Sequence, residues 1–274
     1  MSKYKLIALD MDGTLLNSRL ELSEGNAQAI HEAAAAGKHV VLSTGRCLPE
    51  IRETLKALPE IRYLVCENGS CVYDVKYEHT IHVAPVPKSE IDFILDLLKD
   101  ERNVLQVFNE NLSYFNQPDD SWVEDFGVAN YRHIFNTTSF WDVRLFDRYH
   151  ERPFRIEKIN LYFEDDTTRD RIHAVLAKRH LKLSDSIGHM IEVVSGDADK
   201  GIGLVKLCEH LKLPVEETIA VGDSPNDLEI LRTAGLSAAM GNAWPEAKAA
   251  ADIITDDCDH DGVAKVIYGH LLAE

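Results

Sequence analysis

The stretch Lys5-Leu-Ile-Ala-Leu-Asp10-Met-Asp12-Gly-Thr-Leu15 decides how the rest of the chain is read. Residues 6–9 are short, wholly apolar and stop at an acidic pair, as a strand buried on both faces of a parallel sheet does. Gly13 permits a tight turn directly after it. Two carboxylates at the end of such a strand can divide a reaction between them. One attacks phosphorus as a nucleophile; the other gives a proton to the leaving oxygen and later accepts one from water. The plain alternative is a turn whose acids cap the next helix.

Working outward, Ser23 reads as an N-cap. Ala27, Ile30, Ala33 and Ala34 form the apolar face of a helix that Gly37 ends. His39-Val-Val-Leu42 is a second strand, residues 49–58 a second helix and Tyr63-Leu-Val-Cys66 a third strand. This alternation predicts a parallel sheet with helices on its faces. Residues 71–74 and 79–83 then predict a hairpin, and Pro85 and Pro87 punctuate the chain. From about residue 88 to 189 the pattern changes to mixed strands and helices, with an aromatic stretch between Trp122 and Phe146. The first rhythm returns with strands at Ile191-Glu-Val-Val194, Thr218-Ile-Ala-Val221 and 236–240, and helices at 201–211, 227–234 and 245–250. The expected architecture is an α/β fold. A three-layer parallel-sheet core is formed by residues 1–84 and 190–274, and an α+β cap domain at 85–189 is inserted into it.

Ligands of open α/β sheets bind beyond the carboxyl ends of the strands, so the residues at those ends carry the chemistry. After the second strand, Ser43-Thr44-Gly45-Arg46 offers a hydroxyl, an accessible N–H and a guanidinium suited to phosphate oxygens, or simply a turn. Lys200 precedes a helix with Gly201 and Gly203 in its first turn. A lysine there opposes the helix dipole, which an anion in the same place would offset. Gly222-Asp223-Ser224-Pro225-Asn226-Asp227 follows the strand at 218–221. Its hard oxygen donors suit Mg²⁺, with Asp223 completing a site begun by Asp10 and Asp12; a helix-capping loop is the other reading.

Composition sets limits. Twenty-nine Lys and Arg against 46 Asp and Glu give a formal net charge of -17, which argues against broad binding to nucleic acid or anionic membrane. It leaves room for an anionic small substrate where a metal or a local cation reverses the sign. No apolar run approaches the roughly 20 residues of a membrane helix. Cys47, Cys66, Cys71, Cys208 and Cys258 are odd in number and contain no C-x-x-C pair, which reads as reduced thiols in a cytoplasmic protein.

Asp10-Met-Asp-Gly-Thr-Leu15, Thr44-Gly-Arg46, Lys200 and Gly222-Asp-Ser-Pro-Asn-Asp227 together resemble the four motifs of the haloacid dehalogenase-like phosphohydrolases. The large block inserted between the second motif and Lys200 resembles the Cof-type (subclass IIB) sugar-phosphate phosphatases, as do Asn68-Gly69, Gly241-Asn-Ala243 and Asp261-Gly-Val263. The resemblance implies a Rossmann-like core and a Mg²⁺-dependent phosphatase acting on a small phosphate monoester, a sugar phosphate first, through an aspartyl-phosphate. It implies Asp10 as nucleophile and metal ligand, and Asp12 as general acid/base with its backbone carbonyl on the metal. Thr44, Gly45 N–H, Met11 N–H and Asn226 would hold the phosphate. Lys200 would neutralise charge, and Asp223 and Asp227 would serve the metal, Asp227 through its waters or through Lys200. Arg46 and Asn68 are candidate substrate contacts. A small phosphorylated metabolite is the expected partner, with no nucleic acid and no membrane, for a monomer or homodimer. A phosphomutase sharing the same intermediate, or a non-catalytic phosphometabolite-binding protein, is the alternative. In the inserted block, Trp122, Phe126, Tyr131, Phe135, Phe140 and Trp141 line a ring pocket or pack the cap core. Arg132, Arg144 and Arg155 meet a second anionic group or lie on the surface.

Overall fold

A computed structural model describes residues 2–185 and 188–273. In chain order its main elements are β1 (Leu6–Leu9), α1 (Glu24–Ala35), β2 (His39–Ser43), α2 (Leu48–Ala57), β3 (Tyr63–Cys66), β4 (Cys71–Asp74), β5 (His79–Val83), α3 (Lys88–Leu98), β6 (Val104–Asn109) and β7 (Leu112–Phe115). Then come α4 (Arg132–Thr138), β8 (Ser139–Trp141), α5 (Leu145–Glu151), β9 (Lys158–Tyr162), α6 (Asp166–Leu176), β10 (Leu181–Ser184), β11 (Met190–Ser195) and α7 (Lys200–Leu211). The chain ends with β12 (Thr218–Gly222), α8 (Leu228–Thr233), β13 (Leu236–Ala239), α9 (Pro245–Ala250), β14 (Ile253–Ile254) and α10 (Gly262–Val266). Two compact units result. The first comprises Met1–Arg46, Ile51–Val83 and Asp199–Glu274, and the second Cys47–Glu50 and Ala84–Ala198.

The first unit holds an eight-stranded sheet in the order β14-β13-β12-β1-β2-β3-β4-β5. Its strands run parallel from β14 to β3, and β4 and β5 add an antiparallel hairpin at the edge. β1 lies between β12 and β2, with Leu9 opposite Val221 and Leu42. Its four side chains are buried, as the unbroken apolar run requires of a strand covered on both faces. The Ser23 hydroxyl caps α1 by accepting from the Asn26 N–H at 3.1 Å. The carboxyl ends of β1, β2, β3 and β12 therefore lie side by side.

The second unit is built on a six-stranded sheet, β10-β11-β9-β6-β7-β8. Alternation decides its faces. Leu105, Val107, Ile159, Leu161, Ile191 and Val193 share an apolar cluster with Ile91 and Ile94 of α3, Leu145 of α5 and Ile172 of α6. On the other side Gln106, Asn160 and Tyr162 are joined by hydrogen bonds. Trp122, Phe126 and Phe135 pack with Phe115 and Tyr162 in a second cluster, with Tyr131 and Trp141 partly buried against it, so core packing accounts for these rings. Phe140 alone of the aromatic set is largely exposed. Arg132, Arg144 and Arg155 all have carboxylate partners within the unit.

One expectation is corrected. Residues 191–194 were expected in the parallel sheet, with the core resuming at residue 190. β11 instead pairs antiparallel with β9 and β10, and the second unit extends to Ala198. Ile-Glu-Val-Val looks like a buried parallel strand only if Glu192 is overlooked. Its carboxylate accepts from the buried Lys158 Nζ at 2.5 Å and from the Ser184 hydroxyl at 3.0 Å, on the face opposite Ile191 and Val193. Among the described residues, no helix is long and apolar enough to cross a membrane.

Candidate active site

Asp10 is the first residue beyond β1, and its N–H donates to the Val221 carbonyl of β12 at 3.0 Å. The neighbouring strand thus holds the backbone of Asp10 in place. The chain then turns at Gly13 with φ +76°, where a Cβ would stand 2.7 Å from Oδ2 of Asp223. Only glycine allows the β1 turn to approach the β12 turn so closely. The Thr14 hydroxyl closes the contact by donating to Asp223 Oδ1 at 2.9 Å. Asn242 Nδ2 donates to the Gly13 carbonyl at 2.8 Å.

Lys200 opens α7, where Asp199 is the N-cap, its carboxylate accepting from the Ile202 N–H at 2.6 Å. The Lys200 side chain is fully buried. Its ammonium donates to Asp10 Oδ1 at 2.7 Å and to Asp227 Oδ1 at 2.7 Å, with Asn226 Oδ1 at 3.4 Å. The second oxygen of Asp227 accepts from the N–H groups of Asp223 and Ser224 at 3.0 and 3.1 Å. Asp227 therefore ties the β12 turn to Lys200.

Asn226 Nδ2 donates to Asn68 Oδ1 at 3.2 Å, and the Asn68 N–H donates to the Thr44 carbonyl at 3.1 Å. Asn68 takes a left-handed conformation, φ 55°, one that asparagine tolerates better than most residues. The next residue is Gly69, where a Cβ would meet the Asp199 carbonyl oxygen at 1.9 Å, so the β3 turn rests on the start of α7. This chain of contacts gathers Asp10, Thr44, Asn68, Lys200, Asp223, Asn226 and Asp227. Thr14, Asp199 and Asn242, to which the sequence reading gave no role, prove to be the fasteners between turns. Asp199 carried a legible signal, an acid three residues before Ile202 at a helix start.

Asp12 stands apart. Its carboxylate is exposed and paired side-on with Arg46, at 2.9 Å from Nε and 2.5 Å from Nη2. The two residues come from the first and second strand ends, and a bidentate guanidinium fixes the carboxylate's plane as well as its position.

Asp10, Asp223 and Asp227 each offer a carboxylate oxygen, all within 4.8 Å of one another. Fully ionised, three buried carboxylates against one buried ammonium carry two excess negative charges. The titration behaviour follows. Burial first, then Asp227 and Asp223, push the Asp10 carboxyl well above its ordinary range, against the pull of Lys200. Burial, with Asp227 next, pushes Asp223 up to about 6. Burial alone would lower Lys200, but Asp10 and Asp227 outweigh it and hold the ammonium above the usual lysine value. The excess matches the charge of one divalent cation, and the donor set is the hard, all-oxygen kind that Mg²⁺ takes.

Residues 7–267 match the model of the haloacid dehalogenase-like hydrolases. The chain belongs to that family. This haloacid dehalogenase-like hydrolase is of the Cof type, and it is a phosphoric monoester hydrolase. It is 33% identical over 277 residues to the 5-amino-6-(5-phospho-D-ribitylamino)uracil phosphatase YcsE of Bacillus subtilis, covering 96% of this chain and 94% of that one. It is 26% identical to the pyridoxal phosphate phosphatase YbhA of Escherichia coli, over 98% and 99% of the two chains. A haloacid dehalogenase-like hydrolase from B. subtilis superposes with a TM-score of 0.86 at 28% identity, covering 96% of this chain and 99% of the other.

Proposed function

We propose that this hydrolase is a Mg²⁺-dependent phosphatase of a small phosphorylated metabolite, a sugar phosphate first, working through an aspartyl-phosphate on Asp10. The observation that supports it most is the buried group of three carboxylates, two of them paired with Lys200 and one of these directly beyond β1. An Asp10 carboxylate oxygen forms a bond to phosphorus as the bond from phosphorus to the leaving oxygen breaks. Asp12 gives that oxygen a proton, then takes one from the water that cleaves the aspartyl-phosphate. Arg46 holds both Asp12 oxygens and favours the charged carboxylate, so one oxygen leaves the guanidinium before Asp12 carries a proton to the leaving group. Lys200 balances the charge of Asp10 and of the phosphoryl group, which matters more in phosphoryl transfer than acid strength. The Thr44 hydroxyl, the N–H groups of Met11 and Gly45, and Asn226 hold the phosphoryl oxygens, with Asn68 at the edge of the substrate. Asp10, Asp223 and the Asp12 carbonyl would hold Mg²⁺, with Asp227 serving its waters, and the ion would neutralise phosphoryl charge as a Lewis acid.

The names of YcsE and YbhA both denote phosphatases of small metabolites, which supports that substrate class. The proposal places the enzyme in the cytoplasm as a monomer or homodimer; its five cysteines are buried and none is in a disulfide. The test is release of inorganic phosphate from p-nitrophenyl phosphate with and without Mg²⁺. Asp10→Asn keeps the shape and removes the nucleophile, and is expected to lower turnover by roughly a thousandfold or more. Normal turnover in that variant excludes the mechanism. Phosphate passed to a sugar rather than released marks a mutase.

A further inference from the structure

The second unit contains a cavity of about 440 Å³ that none of the proposed chemistry uses. Small-molecule sites occupy about 300–1,000 Å³. Its lining residues include the aromatic Tyr114 and Phe154, the buried Leu145, and two exposed arginines, Arg148 and Arg152. The walls are braced from behind. Phe154 meets the buried Tyr149 edge-on at 5.3 Å, and Tyr114 stacks on Phe140 at 5.3 Å with the planes 25° apart. Phe140 is 53% exposed on β8, the edge strand, so the aromatic surface continues out of the cavity.

The charges lining the cavity are not equivalent. Arg148 is paired with Asp142, and Glu151 with Arg144 at 3.4 Å. Arg152 has no ion-pair partner among the described residues, in a chain carrying 46 acids to 29 bases. Its backbone is held where α5 ends, its N–H donating to the Arg148 carbonyl at 2.9 Å. An uncommitted guanidinium beside pre-positioned rings recognises a flat apolar body with a negative group at one end, and braced walls lower the ordering cost of binding.

We propose that this cavity is a second ligand site, taking a planar aromatic anion (an aryl or heteroaryl phosphate, sulfonate or carboxylate) with its ring between Tyr114 and Phe154 and its charge on Arg152. The lining includes no nucleophile paired with a base, so the site binds without converting. Its occupancy does not depend on the acid cluster of the first unit.

Naphthalene-2-sulfonate is a suitable probe, since it has no phosphoester to hydrolyse and can be titrated calorimetrically into the intact enzyme. Saturable binding is expected, with Arg152→Ala weakening it about tenfold, the loss of one charge-assisted hydrogen bond. Arg152→Lys restores part of the affinity, and Tyr114→Leu weakens it while keeping the cavity apolar. Hydrolysis of p-nitrophenyl phosphate by Arg152→Ala stays at the parent rate, which also shows that the variant folds. The proposal is overturned if affinity is the same in Arg152→Ala as in the parent. It is equally overturned if no saturation appears at millimolar probe, or if the probe competes with p-nitrophenyl phosphate.

Discussion

Lys200 is the residue on which the first unit's site balances. It is fully buried, and among the described residues its ammonium bonds to two carboxylates and an amide oxygen. Removing one partner of a buried ion pair costs about 3–5 kcal/mol because the other charge is stranded. Lys200→Ala strands two carboxylates, and it is expected to lose about that much stability in denaturant unfolding without Mg²⁺. A loss under about 1 kcal/mol would mean that the site relaxes around the deletion. Asp223 supplies the pH dependence. Its carboxyl titrates near 6 in the fold against an ordinary value of 3.8, so its charged form is disfavoured and the metal-free protein loses stability as pH rises through 6. A divalent cation binds only the charged form. The upward shift in Tm produced by Mg²⁺ should therefore grow as pH rises from about 5 to about 7; thermal unfolding at several pH values with Mg²⁺ or EDTA measures it, and a pH-independent shift counts against Asp223 as a ligand.

At the scale of elements, α7 does two tasks. It packs on the β3 turn at Gly69 and it delivers Lys200. Its anchor is Asp199, and Asp199→Ala is expected to cost about 1 kcal/mol of stability, the usual value of a lost N-cap, with kcat falling as Lys200 loosens. Unchanged kcat would separate the cap from the positioning of Lys200. β1 was legible in the sequence because four apolar residues ending at two acids admit few other structures. The pairing of Asp12 with Arg46 was not legible, since Asp12 reads as a proton donor and Arg46 as a substrate contact, and only the adjacency of β1 and β2 brings them together. β11 was misplaced because its apolar residues outnumber Glu192, and the partner that makes a glutamate tolerable there, Lys158, lies 34 residues away. The helices and strands of residues 122–151 escaped resolution for a related reason. Their aromatic residues serve a cluster rather than a single face, so no period of 2 or 3.6 emerges.

At the scale of the molecule, the strand–helix rhythm was enough to foresee an α/β core with an insert, since both ends of the chain repeat it. It was not enough to foresee that the second sheet extends to β11, because that boundary rests on pairing partners and not on composition. The net charge of -17 acts on the whole fold by self-repulsion, which salt screens with a Debye length of about 10 Å at 0.1 M. Surface ion pairs weaken in salt too, but each is worth only about 0–1 kcal/mol. In EDTA, Tm is therefore expected to rise by a few degrees on going from about 0.01 M to about 0.15 M KCl; a fall would show that paired charges dominate the surface.

The central claim is a covalent bond between Asp10 and phosphorus. It is tested most directly by quenching the enzyme in acid during turnover of p-nitrophenyl phosphate and mapping the modified peptide by mass spectrometry. The account predicts one phosphoryl group on Asp10, removed by hydroxylamine and absent from Asp10→Asn. Steady release of phosphate with Asp10 unmodified throughout, or with the phosphoryl group on another residue, would contradict it.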